Sequence, residues 1–254
     1  MSLASIPALH LVGTPAVASA KVAHHFACHR EARAEVLARA LRRGRRWMMG
    51  GAAAGVVGPA LAWLVEAELG WAVGGFGVLA LIVGGINNLE TRNQAAKTPE
   101  ARPAGQALLQ RLLGEFAPQA RLHLHVDARS AAEATDPERT ARSPHSGYTK
   151  SYHRHPWLTL KGWLADGCLL GLTFTHLQKV RLGHPMRDQT QVQGRLRLPA
   201  GSQPGALPTG LEKLHVAAVP GQPEVLFWGV LGTEVDVLPD LRRLLQAVRT
   251  GPAS

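Results

Sequence analysis

The chain has 254 residues, a formal net charge of +10 and two cysteines. That length accommodates a basic arm, a hydrophobic hairpin and one domain of ordinary size. Cys28 and Cys168 both fall on the reducing side of the topology argued below, which excludes a disulfide framework.

The charge is unevenly spread. Residues 1–46 hold eight Lys or Arg against two acids, and this cluster stands just before the first long apolar run, where anionic cytoplasmic lipids attract it. Nucleic acid, the other natural partner of a basic chain, is set aside because membrane topology accounts for the largest cluster.

In chain order, the first twenty residues end in Ala18-Ser19-Ala20 but lack the basic start of a secretory signal. Pro7 and His10 interrupt their apolar stretch, so they read as a cytoplasmic leader. Thr14 as cap and Pro15 at the first position predict a helix, supported by Val22, Phe26, Leu37 and Leu41 and by a Glu35/Arg39 pair. The arm 1–46 is thus largely helical. Within it HHFACH puts His25 and His29 on one face and His24 and Cys28 on the next. Imidazole and thiolate are zinc ligands, so zinc is the one cofactor the pattern suggests. The simpler reading is solvated or partner-facing histidines, because a structural zinc site needs four ligands and the Glu of HExxH is missing.

Residues 47–88 contain two uncharged runs, Trp47–Leu64 and Leu69–Ile86, separated by Val65, Glu66, Ala67 and Glu68. A bilayer takes about 17–25 apolar residues of helix to cross, so the runs predict two transmembrane helices joined by an acidic turn. Arg42, Arg43, Arg45 and Arg46 precede the first and Arg92, Lys97 and Arg102 follow the second, which puts both termini on the cytoplasmic side of the inner membrane. Trp47, Trp63 and Trp71 mark the interfaces. Gly51, Gly55 and Gly58 on the first span and Gly70 and Gly74 on the second predict close packing of the hairpin on itself or on a neighbour.

After a linker at 89–103, a helix is expected from about Ala104 to Phe116 with a leucine stripe, then a strand in which Leu122, Leu124 and Val126 alternate with His123 and His125. Residues 128–156 lack a sustained period and predict a mobile loop. Its Arg139, Arg142, Lys150, Tyr152 and Arg154 interleave cations and aromatics, a composition suited to ligand or partner contacts. Asp166-Gly167 predicts a two-residue turn pairing Ala165 with Cys168 and Trp163 with Leu170. That register puts Trp163, Leu170, Leu172 and Phe174 on one face and Leu158, Leu160, Leu164 and Leu169 on the other. Strands are expected near 191–198, 211–219 and 224–231, then a helix near 239–249. The expected fold is therefore a transmembrane helical hairpin plus a cytosolic α+β domain, 104–254, of about six mainly antiparallel strands, barrel-like or two-layer, that folds alone.

No nucleophile elbow, phosphate-binding loop, dinucleotide fingerprint or paired Cys-x-x-Cys occurs in the chain. The leading expectation is a non-catalytic membrane-anchored subunit or adaptor, in contact with lipid and with other membrane proteins or copies of itself. The alternatives are a sensor whose β-rich domain binds a small anionic ligand while the hairpin oligomerises, and a metal-assisted membrane enzyme.

Overall fold

The computed structural model describes residues 6–64, 72–86, 103–129, 131–142, 147–181, 184–199, 201, 202, 204, 207–231 and 237–249. Its elements are β1 (Leu9–Gly13), α1 (Pro15–Leu64), α2 (72–86), α3 (Pro103–Leu113), β2 (Leu122–Val126), α4 (Ala131–Ala134), β3 (Arg139–Arg142), β4 (Thr149–Trp163), β5 (Leu169–Arg181), β6 (His184–Arg197), β7 (His215–Ala218), β8 (Glu224–Leu231) and α5 (Leu238–Arg249). Contacts divide them into two units, Ile6–His29 with Ala101–Ser254 and Arg30–Glu100. Helix α1 contributes to both. It starts at Pro15, where a missing N–H costs nothing, and the Thr14 carbonyl accepts the Ala18 N–H at 2.9 Å.

The first unit is built on one open sheet of eight antiparallel strands in the order β1-β2-β4-β5-β6-β8-β7, with β3 paired to β4 off that path. This corrects the expected six-strand barrel or two-layer domain. The added strands come from segments too short or too polar to show a sustained apolar alternation. The leader supplies β1, which pairs with β2 from Leu9↔Val126 to Gly13↔Leu122, and the expected mobile loop supplies α4, β3 and the first half of β4.

The turn after β4 fixes which face of the sheet is buried. Gly167 sits at φ +82 and donates its N–H to the Leu164 carbonyl at 3.1 Å, while the Leu164 N–H reaches the Cys168 carbonyl at 2.8 Å. The connection therefore has three residues, a tight turn closed by a left-handed glycine. Trp163 pairs with Leu169 and Gly162 with Leu170, one residue away from the two-residue register. A slip of one residue exchanges the faces of a strand. The two apolar sets consequently merge: Leu158 faces Phe174 and Leu160 faces Leu172, all buried, and Trp163 is left 50% exposed on the other side.

That apolar face shares one core with Ala18, Val22 and Phe26 of α1, Leu108, Leu109 and Leu112 of α3, and Leu241 and Leu244 of α5. Phe227 of β8 lies across Gly194 of β6, where any β-carbon would meet its ring. Gly194→Ala should therefore destabilise the unit by about 1–3 kcal/mol, read as a lower Tm. Adding Phe227→Leu should recover part of that loss, which a double-mutant cycle measures. The expectation that 104–254 folds alone also changes, because β1 and the fully buried Val22 and Phe26 lie outside it. That fragment should melt well below the intact chain or fail to show a cooperative transition.

In the second unit, the remainder of α1 packs on α2. Gly51 of α1 is buried against the Gly77 carbonyl and the Leu81 N–H, each 2.8 Å from where its β-carbon would stand. A β-carbon on Gly77 would meet the backbone of Gly55, Gly51 and Ala54. Gly74 approaches Gly58 at 3.9 Å by the same measure, and Gly84 meets Met48. Gly55 has open space at its own β position. Gly70 and Trp71 lie outside the described residues. Close approach of two helix backbones is what small residues permit, and here the buried glycines recur every seven residues, Gly51/Gly58 on α1 and Gly77/Gly84 on α2. Gly77→Leu should separate the two helices, seen as lost helicity or earlier proteolysis between 30 and 86, whereas Gly55→Ala should not.

No helix among the described residues is long and apolar enough to cross a membrane. This overturns the transmembrane hairpin and with it the integral inner-membrane location and the cytoplasmic placement of both termini. The reason lies in what the apolar runs are made of. Trp47–Leu64 is diluted by four glycines and Pro59, and α2 covers 72–86, about 22 Å at 1.5 Å per residue against a hydrocarbon core of about 30 Å. The supposed interface anchors also stand within one continuous helix. Arg42, Arg43, Arg45 and Arg46 are exposed in mid-α1, followed directly by Trp47, and Trp63 is 87% exposed near its end.

Candidate functional site

The face of the sheet opposite the core is open and strongly basic. Strand register puts nine Lys or Arg on it: Arg139 of β3, Lys150, Arg154 and Lys161 of β4, Lys179 and Arg181 of β5, and Arg187, Arg195 and Arg197 of β6. Among the described residues the one carboxylate in register on that face is Glu224, 4% exposed and bound to Arg195 at 2.9 Å. Alternation produces the segregation: along β5, Leu170, Leu172, Phe174, His176, Gln178 and Val180 turn inward, leaving Thr173, Thr175, Lys179 and Arg181 for the opposite face.

Of the ligand-contact residues expected from the sequence, Arg139, Lys150, Tyr152 and Arg154 come together on this face, and Arg142 does not. Arg139, Tyr152, Lys179 and Arg187 form one cross-strand row, with the Lys179 ammonium 5.8 Å from the centre of the Tyr152 ring. Arg181 lies over Tyr148 at 4.4 Å. Arg142 points its guanidinium at the Gly147 carbonyl, 3.2 Å away. Sequence reasoning missed Lys161, Lys179, Arg181, Arg187, Arg195 and Arg197, each of which is an ordinary strand residue until pairing aligns it with the others.

Toward β1 the same face holds a shallow depression of about 470 Å³ lined by His10, Val12, His123, His125, Thr159 and Lys161. The His10 and His125 rings are tilted by 37° with their centres 4.2 Å apart, and their nitrogens approach to 3.2 Å. Burial and then the neighbouring His10 hold the His125 imidazole below the ordinary histidine value.

The core side of the sheet ends in a different cluster. Asp127, 2% exposed, takes two bonds from the Arg129 guanidinium, at 2.9 Å to Oδ1 and 2.6 Å to Oδ2, and stands 3.3 Å from Nε2 of buried His155. Burial alone would raise its carboxyl, but the close His155 imidazole and the hydrogen bonds from Arg129 hold it well below the usual carboxylate range. His153 contacts the Thr135 carbonyl through Nδ1 at 3.0 Å and Ser151 Oγ through Nε2 at 3.1 Å. This is a Ser–His pair in outline, yet its third partner is a neutral carbonyl, and Ser-x-His on any strand brings the two side chains together. α4 closes the cluster, the Ala132 N–H binding Gln178 Oε1 at 3.0 Å. These groups brace the place where the chain leaves β2.

In α1, His24 Nε2 lies 3.6 Å from Cys28 Sγ, and the His25 and His29 rings make an edge contact at 4.7 Å between centres. The two pairs occupy adjacent faces. No group of three or more His, Cys, Asp or Glu among the described residues is placed to hold a metal ion.

Comparisons with protein-family models, with curated proteins and with solved structures give no match for this chain.

Burial holds the His25 imidazole below its ordinary value of 6.5, against the opposing pull of Asp127. Its stabilising contribution is therefore present above pH 6.5 and lost as pH falls, while that of Asp127 is present above 3.8 and lost below it. Acid should destabilise the sheet unit in two steps. Asp127→Asn should cost about 1–3 kcal/mol at neutral pH and flatten the lower step of a Tm-against-pH curve.

Proposed function

We propose that the chain is a non-catalytic binding module whose open sheet face takes a phosphate-rich or otherwise polyanionic ligand, with the glycine-packed helical hairpin serving for self-association. The observation that carries this reading is the charge segregation: among the described residues nine cations share one face with a single carboxylate that is buried and already paired. Like charges held side by side on a rigid sheet repel one another, and a polyanion relieves that repulsion while releasing its own counterions. The depression lined by His123, Thr159 and Lys161 adds hydrogen-bonding groups on the same surface. An enzyme reading has less support, because the best-ordered polar cluster is closed by α4 and its shortest bonds are internal. Self-association is supported by the apolar side chains that α1 and α2 leave uncovered, among them Val56 and Phe76, each 75% exposed.

Titrating fluorescent heparin fragments, a polyanion without bases, tests the ligand class. The intact chain should bind with affinity that falls steeply as salt rises. Lys161→Glu, Lys179→Glu and Arg187→Glu together should weaken binding at least tenfold and reduce the salt slope by about one per cation removed. Binding that is absent, or indifferent to those three changes and to salt, would remove the proposal. Light scattering of the full chain against a Phe76→Lys variant checks the second half, with a smaller particle expected for the variant.

A further inference from the structure

Resting on the polyanion reading, we infer that the ligand of the open sheet face is a single strand of nucleic acid, laid across the strands with its bases on one uncharged row. In register, His125, Thr159, Thr173, Gln193 and Trp228 form a continuous line over β2, β4, β5, β6 and β8, extended by His10 at one end and His215 at the other. With strands about 4.8 Å apart the line is about 29 Å long, matching the few nucleotides a single fold of this size engages.

The chemistry along the line is ordered. Rings stand at its ends: the His10–His125 pair, and Trp228, 45% exposed and backed by His215 at 5.9 Å between ring centres. Its middle offers the hydroxyls of two threonines and the amide of Gln193, which donate and accept as base edges and sugar hydroxyls require. The row beside it carries Lys161 and Arg195. Arg195 meets Glu224 through Nε at 2.9 Å while its side chain is 66% exposed. Rings for base faces, polar groups for base edges and an adjacent cation row for phosphates is the composition of a single-strand platform.

Other polyanions use less of this surface. Duplex bases are stacked on one another and cannot stack on side-chain rings, and duplex readout needs a helix or ribbon inserted into a groove. A bilayer is flat, whereas rotation between successive strands accumulates across a sheet of eight strands, so only part of the cation set meets a planar surface at once. A flexible strand follows the twist.

The test compares fluorescein-labelled 12-mers of oligo-dT and oligo-rU with a mixed-sequence duplex of that length, heparin fragments and phosphatidylserine vesicles, all on the full chain at one salt concentration. The single strands should bind at least tenfold more tightly than the duplex and quench tryptophan fluorescence, and the DNA and RNA arms show which sugar is preferred. Trp228→Ala, at an exposed position, should weaken single-strand binding about tenfold while leaving heparin affinity and Tm unchanged. Heparin or vesicles binding as tightly as the single strands, or single-strand affinity unaffected by Trp228→Ala, would overturn this inference and leave the polyanion reading standing. No binding of heparin or of either oligonucleotide would remove both.

Discussion

The register of the β4–β5 hairpin is the constraint on which the rest of this structure depends. Gly167 holds a left-handed conformation that side chains rarely adopt, and the loop it closes has three residues. With two residues, Leu158 and Leu160 would lie opposite Leu170, Leu172 and Phe174, and both faces of the sheet would need a cover. With three, every large apolar residue of the pair except Trp163 and the half-buried Leu169 and Leu177 turns to the side where α1, α3 and α5 lie. The side chains left over are Lys, Arg, Thr and Gln, and strand pairing carries that division from β3 to β8. Burial of one face and exposure of a cationic other face are one decision, taken at one turn.

A second irregularity shapes the ends of the sheet. β4 shifts register between Pro156 and Leu158, so that His155 pairs with His176 while Leu158 pairs with Phe174. Beyond that bulge the core side changes from leucine to histidine, glutamine and aspartate. A buried polar end of this kind is stable only when its groups satisfy one another, which accounts for the bidentate Arg129–Asp127 contact and for α4 bonding to Gln178. The bulge also keeps Lys150, Tyr152 and Arg154 on the same side as Thr159 and Lys161 despite the offset, so the basic face runs on unbroken.

The parts of the fold legible in the sequence were those whose signal is local. The start of α1 at Thr14-Pro15, the leucine stripe of α3, the alternation in β2, the Asp-Gly turn and the amphipathic α5 all follow from neighbours within a few residues. Two kinds of information were not local. β1 is too short and β3 too polar to show a sustained apolar alternation, and their existence depends on partners over one hundred residues away in the first case and about ten in the second. The apolar runs at 47–86 meet a composition criterion for membrane helices only if glycine is counted as hydrocarbon, whereas here its use is steric: a missing side chain that lets two backbones touch. The site was half legible for the same reason. Arg139, Lys150, Tyr152 and Arg154 draw attention because they crowd together in sequence, while Lys161, Lys179 and Arg187 are scattered and acquire meaning only through pairing.

The membrane topology had also served as the account of the positive charge, and its removal changes the electrostatic argument. Residues 1–46 hold eight of the 28 Lys and Arg, clustered in one stretch of helix. Nine others are gathered by the sheet within a single twisted surface. Concentrating cations costs folding free energy through their mutual repulsion, and nothing in hydrophobic burial requires outward-facing strand positions to be Lys or Arg when Thr and Gln serve equally well at Thr173, Gln191 and Gln193. A cost that the fold does not need is best explained by something outside the fold, and the sign of the charge, the neutral polar row and the exposed Trp228 together narrow what that something is.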